Sequence, residues 1–333
     1  MSIPTLLRAL VALVLFSLAG CSTGHTPDYH GAIPVAAILA TPRPAGGGAA
    51  VVDPRSATPT ASQAVAAALG IIKELTADKF PHRAGNVLEW RSVPGLTDPA
   101  MWRVRLELDG GTWSSIGLTG EPRKPAQSWR WALQARPKMA TDAAFATVAE
   151  GTRQTPEGDW EAQRGSGTLR VDFRAACAFL GESACTAAHA LSGTVVDAAF
   201  TLSGDGRTLA LDVSELLNGG AVVRAVALQG SIDASGAGVL KVTERLEYAA
   251  SVPWSGVPTV RRMRWDARGA GRQSVVSTWI ASTDSWGMAR NEMCWDAGGV
   301  VTYSEEFGSP GVSGPYVGDA SACGEFSQVA PLP

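Results

Sequence analysis

General acid and base catalysis most often recruits histidine, and this chain carries four. His25 and His30 fall in a Pro- and Gly-rich stretch, His82 directly follows Pro81, and His189 stands near Cys185. No G-x-S-x-G nucleophile elbow, H-E-x-x-H zinc helix, phosphate-binding P-loop or EF-hand loop occurs, so the common hydrolase and nucleotide chemistries lack their signatures. His25, Asp28 and His30 have the donor types of a metal site, but their setting favours solvated polar residues. Glycoside hydrolysis needs only two carboxylates across a cleft, and the pairs on offer are Asp284 with Asp296, or Glu305 with Glu306. Asp296 precedes Gly298 and Gly299, where Asp is an ordinary turn residue, so a structural role is expected there. Asp205 between Gly204 and Gly206 also reads as a turn, because calcium takes six to eight oxygens. The sequence thus assigns no catalytic residue, no metal site and no cofactor.

A different chemistry is offered by Cys21. Arg8 precedes an apolar run from Ala9 to Leu18, and the small residues Ala19 and Gly20 stand directly before the cysteine. That is the layout of a secretory signal peptide and its cleavage site, and the run is shorter than the roughly 20 residues a spanning helix requires. The sequence Leu18-Ala19-Gly20-Cys21 resembles the lipobox of bacterial lipoproteins. The resemblance implies that Cys21 is acylated and becomes the mature amino terminus. A thiolate is the nucleophile such a transfer needs, and acyl chains worth about 0.8 kcal/mol per buried CH₂ hold a protein on a membrane without a spanning segment. Ser22 stands where many inner-membrane lipoproteins carry Asp, so the resemblance implies the outer membrane.

Four cysteines remain, and export to an oxidising compartment predicts that they pair. Proximity suggests Cys177 with Cys185 and Cys294 with Cys323, among three possible connectivities. Neither spacing suits a zinc site, which wants tight C-x₂₋₄-C pairs. Net charge is only −3, so nothing global favours nucleic acid or an anionic surface as partner. The full chain is 45% hydrophobic and 18% charged, and the part past residue 20 is long enough to build a sizeable core.

The elements expected to position these residues fall into three zones: a signal peptide over 1–20, a lipidated tether over 21–60 and a β-rich domain over 61–333. The tether, rich in Pro, Gly, Ala and Thr, would span on the order of 35 Å as a flexible coil; "AIPVAAILA" within it can instead dock on the domain. "ASQAVAAALGIIKELTADKF" predicts a helix capped by Ser62 and ended by Pro81, with Val65, Leu69, Ile72 and Leu75 on one buried face. Beyond it the period changes to two. Trp102, Val104, Leu106 and Leu108 alternate with charged residues, as do Leu169, Val171 and Phe173, then Leu209, Leu211 and Val213. Met263, Trp265 and Ala267 alternate with Arg262, Arg264 and Asp266, which predicts a strand with a solvated basic edge. "LSGDGRT", "DASGAG", "ARGAGR" and "DAGG" are hairpin signals. "ATDAAFATVAEG" and "RAACAFLGESACTAAHALSG" read as short helices or long loops. The fold class is therefore mainly β with one or two helices: a curved antiparallel meander, a half-open barrel-like sheet, with a helix packed against it.

That pattern, over residues 62 to 310, resembles the LolA/LolB-like lipoprotein carriers, whose curved sheet and helices enclose an apolar cavity. The carboxyl end, "MCWDAGGVVTYSEE" with "GDASAC", is similar to the ends of uncharacterised bacterial lipoproteins. Eleven tryptophans against four tyrosines supply large aromatic faces for a core or a cavity. Trp129 and Trp131 share a strand face, and with Trp102 and Trp265 they are the candidate lining of an apolar cavity. The reading is a non-catalytic, membrane-anchored envelope lipoprotein whose partner is an apolar ligand, or else an envelope protein. A glycan-directed hydrolase is the remaining alternative.

Overall fold

The computed structural model of the protein describes residues 32–33, 59–77, 81–95, 98–110, 126–157, 164–172, 174, 193–217, 222–248, 257–282, 285–307 and 317–328. Helix α1 (Pro59–Thr76) precedes fourteen strands. They are β1 (His82–Ala84), β2 (Val87–Arg91), β3 (Ala100–Gly110), β4 (Gln127–Pro137), β5 (Ala146–Thr155), β6 (Gly165–Asp172) and β7 (Val195–Ser203). Then follow β8 (Gly206–Leu217), β9 (Val222–Asp233), β10 (Gly238–Tyr248), β11 (Pro258–Trp265), β12 (Gly271–Ser282), β13 (Ser285–Trp295) and β14 (Val301–Phe307). Their order in the single antiparallel sheet is the order of the sequence, and among the described residues no pairing joins β1 to β14. A meander of this kind needs only local hairpin closures, each costing little loop entropy.

Thr60–Ala199 belongs to one compact unit and Phe200–Pro333 to a second. In the first unit, α1 buries Ala64, Val65, Ala68, Ile72 and Leu75. The helix starts earlier than expected, at Pro59, where proline's fixed φ and missing N–H suit a first turn; Ser62 therefore lies inside it. Leu69 is only half-buried, because two alanines occupy the buried stripe beside it. The helix stops at Thr76, whose hydroxyl donates back to the Ile72 carbonyl at 2.9 Å, ahead of Pro81. Ala32, at the start of "AIPVAAILA", is fully buried.

The alternation of the first unit resolves into cross-strand rows. Leu88, Leu106, Trp131, Gly151 and Leu169 stand in one. Trp90, Val104, Leu133, Ala149 and Val171 stand two residues along on the same face. All but Gly151 are buried, each worth about 1.5–3 kcal/mol for a large side chain. The opposite face is charged: Arg130 meets Asp109 at 2.7 Å and Arg170 meets Asp197 at 2.9 Å. Where a helix or loop was expected in "ATDAAFATVAEG", a short 3₁₀ turn, Asp142–Ala144, leads straight into β5. Thr147 and Val148 are β-branched, and pairing with β4 decides the matter. Phe173 and "RAACAFLGESACTAAHALSG" except Arg174 and Gly193 lie outside the described residues.

In the second unit three successive hairpins are built alike. Asp233, Asp266 and Asp296 each accept, on Oδ1, the amides two and four residues ahead: Ser235 and Ala237, Arg268 and Ala270, Gly298 and Val300. Each aspartate carbonyl accepts the amide of a glycine with positive φ, Gly236, Gly269 or Gly299, a turn closed by a residue only glycine fits well. Asp266 and Ala267 are consequently in a turn, so β11 ends at Trp265 rather than running through Ala267. Nor is β11 an edge: it lies between β10 and β12, and Arg264 is exposed because it occupies the sheet face opposite Met263 and Trp265.

The hairpins are tied sideways by tryptophan. The Trp265 Nε1 donates to the Gly236 carbonyl at 2.8 Å, and the Trp295 Nε1 donates to the Gly269 carbonyl at 2.7 Å. Their rings lie over Gly238 and Gly271, where a side chain would collide with them. A Cβ on Gly271 would fall 2.5 Å from Trp295 Cζ2 and closer still to the Arg264 carbonyl. Gly271→Ala is therefore expected to destabilise the second unit by about 1–3 kcal/mol, the usual cost of overpacking. Urea unfolding would show it as a lower midpoint; an unchanged midpoint would mean that the indole yields freely.

Candidate functional site

The four tryptophans singled out as cavity lining occupy different positions. Trp129 and Trp131 share the apolar face of β4, at 0% and 2% exposure. Trp102 lies on the same face as Val104 of the neighbouring β3, half-buried, opposite Ala135. Trp90 of β2, which sequence reasoning passed over, joins that face at 2% exposure. Trp265 belongs to the second unit, where its ring packs on Gly238 and its N–H is held by the hairpin before it. On the aromatic face of the first unit, Trp131 sits over Gly151, whose missing side chain leaves room for the indole. The Trp131 Nε1 is buried and has no hydrogen-bond acceptor among the described residues. Arg153, opposite Trp129 in the register, is fully buried and donates to the Arg164 carbonyl at 2.8 Å. An arginine at an inward-facing position of an alternating strand was the signal available for it.

A second aromatic and charged group lies on the opposite face of β2 to β5. The Arg103 guanidinium stacks 3.9 Å from the centre of the Phe145 ring, with those of Arg136 and Arg91 at 5.2 and 6.0 Å. Asp142 takes 2.7 and 3.3 Å contacts from Arg91 and Arg136. The hydrogen bond from Arg91, more than any other effect, lowers the Asp142 pKa. Three guanidinium groups gather on one ring and share two carboxylates, Glu89 and Asp142, while the Arg136 Nε is buried with no hydrogen bond among the described residues.

The apolar face of the second unit is not uniformly apolar. Toward the end of the strands away from the hairpin stack, it carries Glu215, Arg224, Glu244 and Arg261. Arg224 pairs with Glu244 at 2.7 Å and with the buried Glu215 at 3.4 Å. Charges inside an alternating sheet face are costly unless paired, so this band departs from what packing alone would select. Nothing in the hydrophobic pattern marked it beyond the polar residues themselves.

The remaining sequence candidates are placed plainly. Cys294 is bonded to Cys323, and the bond fastens the 3₁₀ segment Ala320–Gln328 against β13 and β14, where Cys294, Tyr303 and Cys323 are buried together. Cys21, Cys177, Cys185, His25, Asp28, His30, His189 and Asp284 lie outside the described residues. Asp296 caps its own hairpin. Glu305 and Glu306 are neighbours on β14 and so face opposite sides of the sheet; they cannot act as a pair across one cleft. Glu305 instead accepts the Tyr303 hydroxyl hydrogen. Behind Tyr303, the buried Glu292 is gripped by Arg272 at 3.0 Å and Arg290 at 2.5 Å.

Comparison of the chain with protein-family models, with curated proteins and with solved structures finds no match.

The hydrogen bond to Glu305, with burial second, pushes the Tyr303 pKa up to about 12. An unfolded tyrosine titrates near 10, so this group contributes stability that is complete below about pH 10 and lost as pH rises through about 12. Phenolate absorbance should therefore show one of the four tyrosines ionising late, and Tyr303→Phe should delete that last step. Reduction of the Cys294–Cys323 bond, which closes a separation of 29 residues, is expected to lower stability by on the order of 3–4 kcal/mol. Hydrogen exchange in 317–328 should rise with it; unaltered protection there would show that packing alone holds the segment.

Proposed function

We propose that this protein is a non-catalytic lipoprotein of the bacterial cell envelope, anchored in the outer membrane through acyl chains on Cys21 and binding an apolar ligand against its tryptophan-bearing sheet face. The observation that carries the anchor is the spacing Leu18-Ala19-Gly20-Cys21 directly after an apolar run and before a polar stretch. Support for the ligand comes from the sheet. Its first unit gathers Trp90, Trp102, Trp129 and Trp131 on one face, and apolar walls with few polar groups are what small apolar ligands select. The Trp131 indole N–H, which has no acceptor among the described residues, adds one directional donor.

A second reading, a lipoprotein that docks an envelope protein, is favoured by Val93 and Met139, which are 93% and 92% exposed. Their loops are tied together by Lys138, whose Nζ donates to the Gly95 carbonyl at 2.5 Å. Exposed apolar side chains on adjoining loops are a common feature of interaction surfaces.

Growth of a Gram-negative host with labelled palmitate should label the full-length protein in the outer-membrane fraction, and Cys21→Ala should abolish the label. An unlabelled wild-type chain would overturn the anchor. Native mass spectrometry of the chain from Ser22 onward, exported behind a conventional signal peptide, should retain a lipid-sized apolar adduct. Repeated recovery of the bare mass, with a stoichiometric partner captured by cross-linking that is lost in Val93→Ser/Met139→Ser, would decide for the docking reading.

A further inference from the structure

Arginines along this sheet meet carboxylates of a neighbouring strand: Arg130 meets Asp109, Arg170 meets Asp197, Arg224 meets Glu244 and Arg272 meets Glu292. Strand β11 departs from this on the face opposite Met263 and Trp265. Arg262 and Arg264 there make no hydrogen bond and no ion pair within 4 Å among the described residues. Arg264 is exposed, whereas Arg262 is half-buried and its Nε is fully so. The register sets Arg262 between Lys241 of β10 and Ser274 of β12, with Glu292 of β13 beyond Ser274. Ser274 is only 8% exposed, and its hydroxyl is buried with no hydrogen-bond partner among the described residues. The neighbouring Glu292 carboxylate is engaged elsewhere: Arg272 holds its Oε2 through Nε and Nη2, each at 3.0 Å, and Arg290 holds its Oε1 at 2.5 Å. Residues opposite one another on antiparallel strands have Cβ atoms about 4.5–5.5 Å apart, so Arg262 and Ser274 border one small space. A buried hydroxyl left unsatisfied in a folded protein calls for a reason.

What both groups lack is an acceptor. A guanidinium carries donors only, and a serine hydroxyl has one hydrogen to give, so an acceptor serving both must present several oxygens. The fork of Arg262 matches two oxygens of a tetrahedral phosphoryl group, and a third can accept from Ser274. The surrounding charge has the matching sign. Lys241 is next in the row, Arg264 is two residues along the same face, and Arg272 stands opposite Arg264 in the register. Two arginines share the one charge of Glu292. This surplus favours a doubly charged phosphate over a singly charged carboxylate, and the burial of the Arg262 Nε and the Ser274 hydroxyl strengthens hydrogen bonds made there.

We propose that Arg262 and Ser274, with Lys241 and Arg264 at the margin, bind a phosphoryl group, carried either by a free phosphate compound or by a phosphomonoester lipid head group. The site lies within the second unit. It goes beyond the apolar-ligand reading and stands or falls apart from it.

The test uses the chain from Ser22 onward, exported as above, with two probes: inorganic phosphate, and phosphatidylcholine vesicles with and without phosphatidic acid. Phosphate is expected to broaden its own ³¹P resonance saturably and to raise the urea midpoint above that in chloride of equal ionic strength, since a ligand of the native state stabilises it. Arg262→Gln should weaken phosphate about tenfold, as loss of a charge-assisted hydrogen bond does. Ser274→Ala should weaken it about threefold while leaving or raising the midpoint in chloride, because it removes an unsatisfied buried hydroxyl; it also covers the case that Arg262→Gln does not fold. Binding of free phosphate with no preference for phosphatidic acid, lost in the variants, supports the site and assigns it to a soluble compound. Preference for phosphatidic acid, lost in Arg262→Gln, supports the site and assigns it to a lipid head group, whether or not free phosphate also binds. A wild type that binds neither probe, or binding unaltered in both Arg262→Gln and Ser274→Ala, overturns the site.

Discussion

Register is the constraint on which the rest of this structure hangs. Side chains of a strand alternate between faces, so a slip of one residue in any pairing would turn Trp129, Trp131, Leu133 and Ala135 from the apolar face to the charged one. Thirteen sequential pairings must each resist that slip. In the first unit the resistance comes from chemistry on both faces at once: apolar rows on one side and cross-strand ion pairs such as Arg170 with Asp197 on the other. Exposed pairs of this kind add little stability individually, but each is satisfied in one register only.

The second unit fixes register at its hairpins. An aspartate that satisfies two amides of its own loop and a glycine with positive φ set the turn. The indole of the following hairpin then bonds the glycine carbonyl of the one before it. This couples adjacent hairpins to each other, so that the position of β11 and β12 reports on that of β9 and β10. Burial works against the Asp266 carboxylate, yet Arg268 and the loop amides outweigh it and lower its pKa; in Asp233 the Ser235 hydroxyl contributes most to the same effect. With the turns held so firmly at one end, the opposite end of the same strands can carry the charged band of Glu215, Arg224, Glu244 and Arg261. A sheet whose stability is invested at one end tolerates polar groups at the other.

The carboxyl end adds a third device. Cys294 lies on the face opposite Trp295's and would be solvated if β14 were a bare edge, but the 3₁₀ segment held by Cys323 covers it together with Tyr303. An exposed terminal strand invites pairing with another chain; here Val317 already exchanges backbone hydrogen bonds with Ser304. Glu292, two residues before Cys294 on the same face, can be buried because Arg290 of its own strand and Arg272 of the adjacent one reach it.

Much of this was legible along the chain. Alternation in "MWRVRLELDGG" and "SWRWALQ" fixed which side chains share a face, because the period of a strand is local. The glycine-rich turns announced hairpins, and the Asp-Ala-x-Gly pattern repeated at Asp233, Asp266 and Asp296 was there to be read as a shared turn. The lipobox resemblance at Cys21 likewise needs no tertiary context. Helix limits and the end of β11 were misjudged where a local signal, Ser62 or the run through Ala267, was overruled by a proline start or a capped turn. Only the folded sheet decided what depends on lateral neighbours from other strands: that Trp265 bonds Gly236, that Glu292 is buried between arginines, and that Arg224 links Glu215 to Glu244 across three strands. Alternation assigns a residue to a face, whereas pairing register assigns its neighbours, and a neighbour across two strands is set by the sum of every turn and bulge between them.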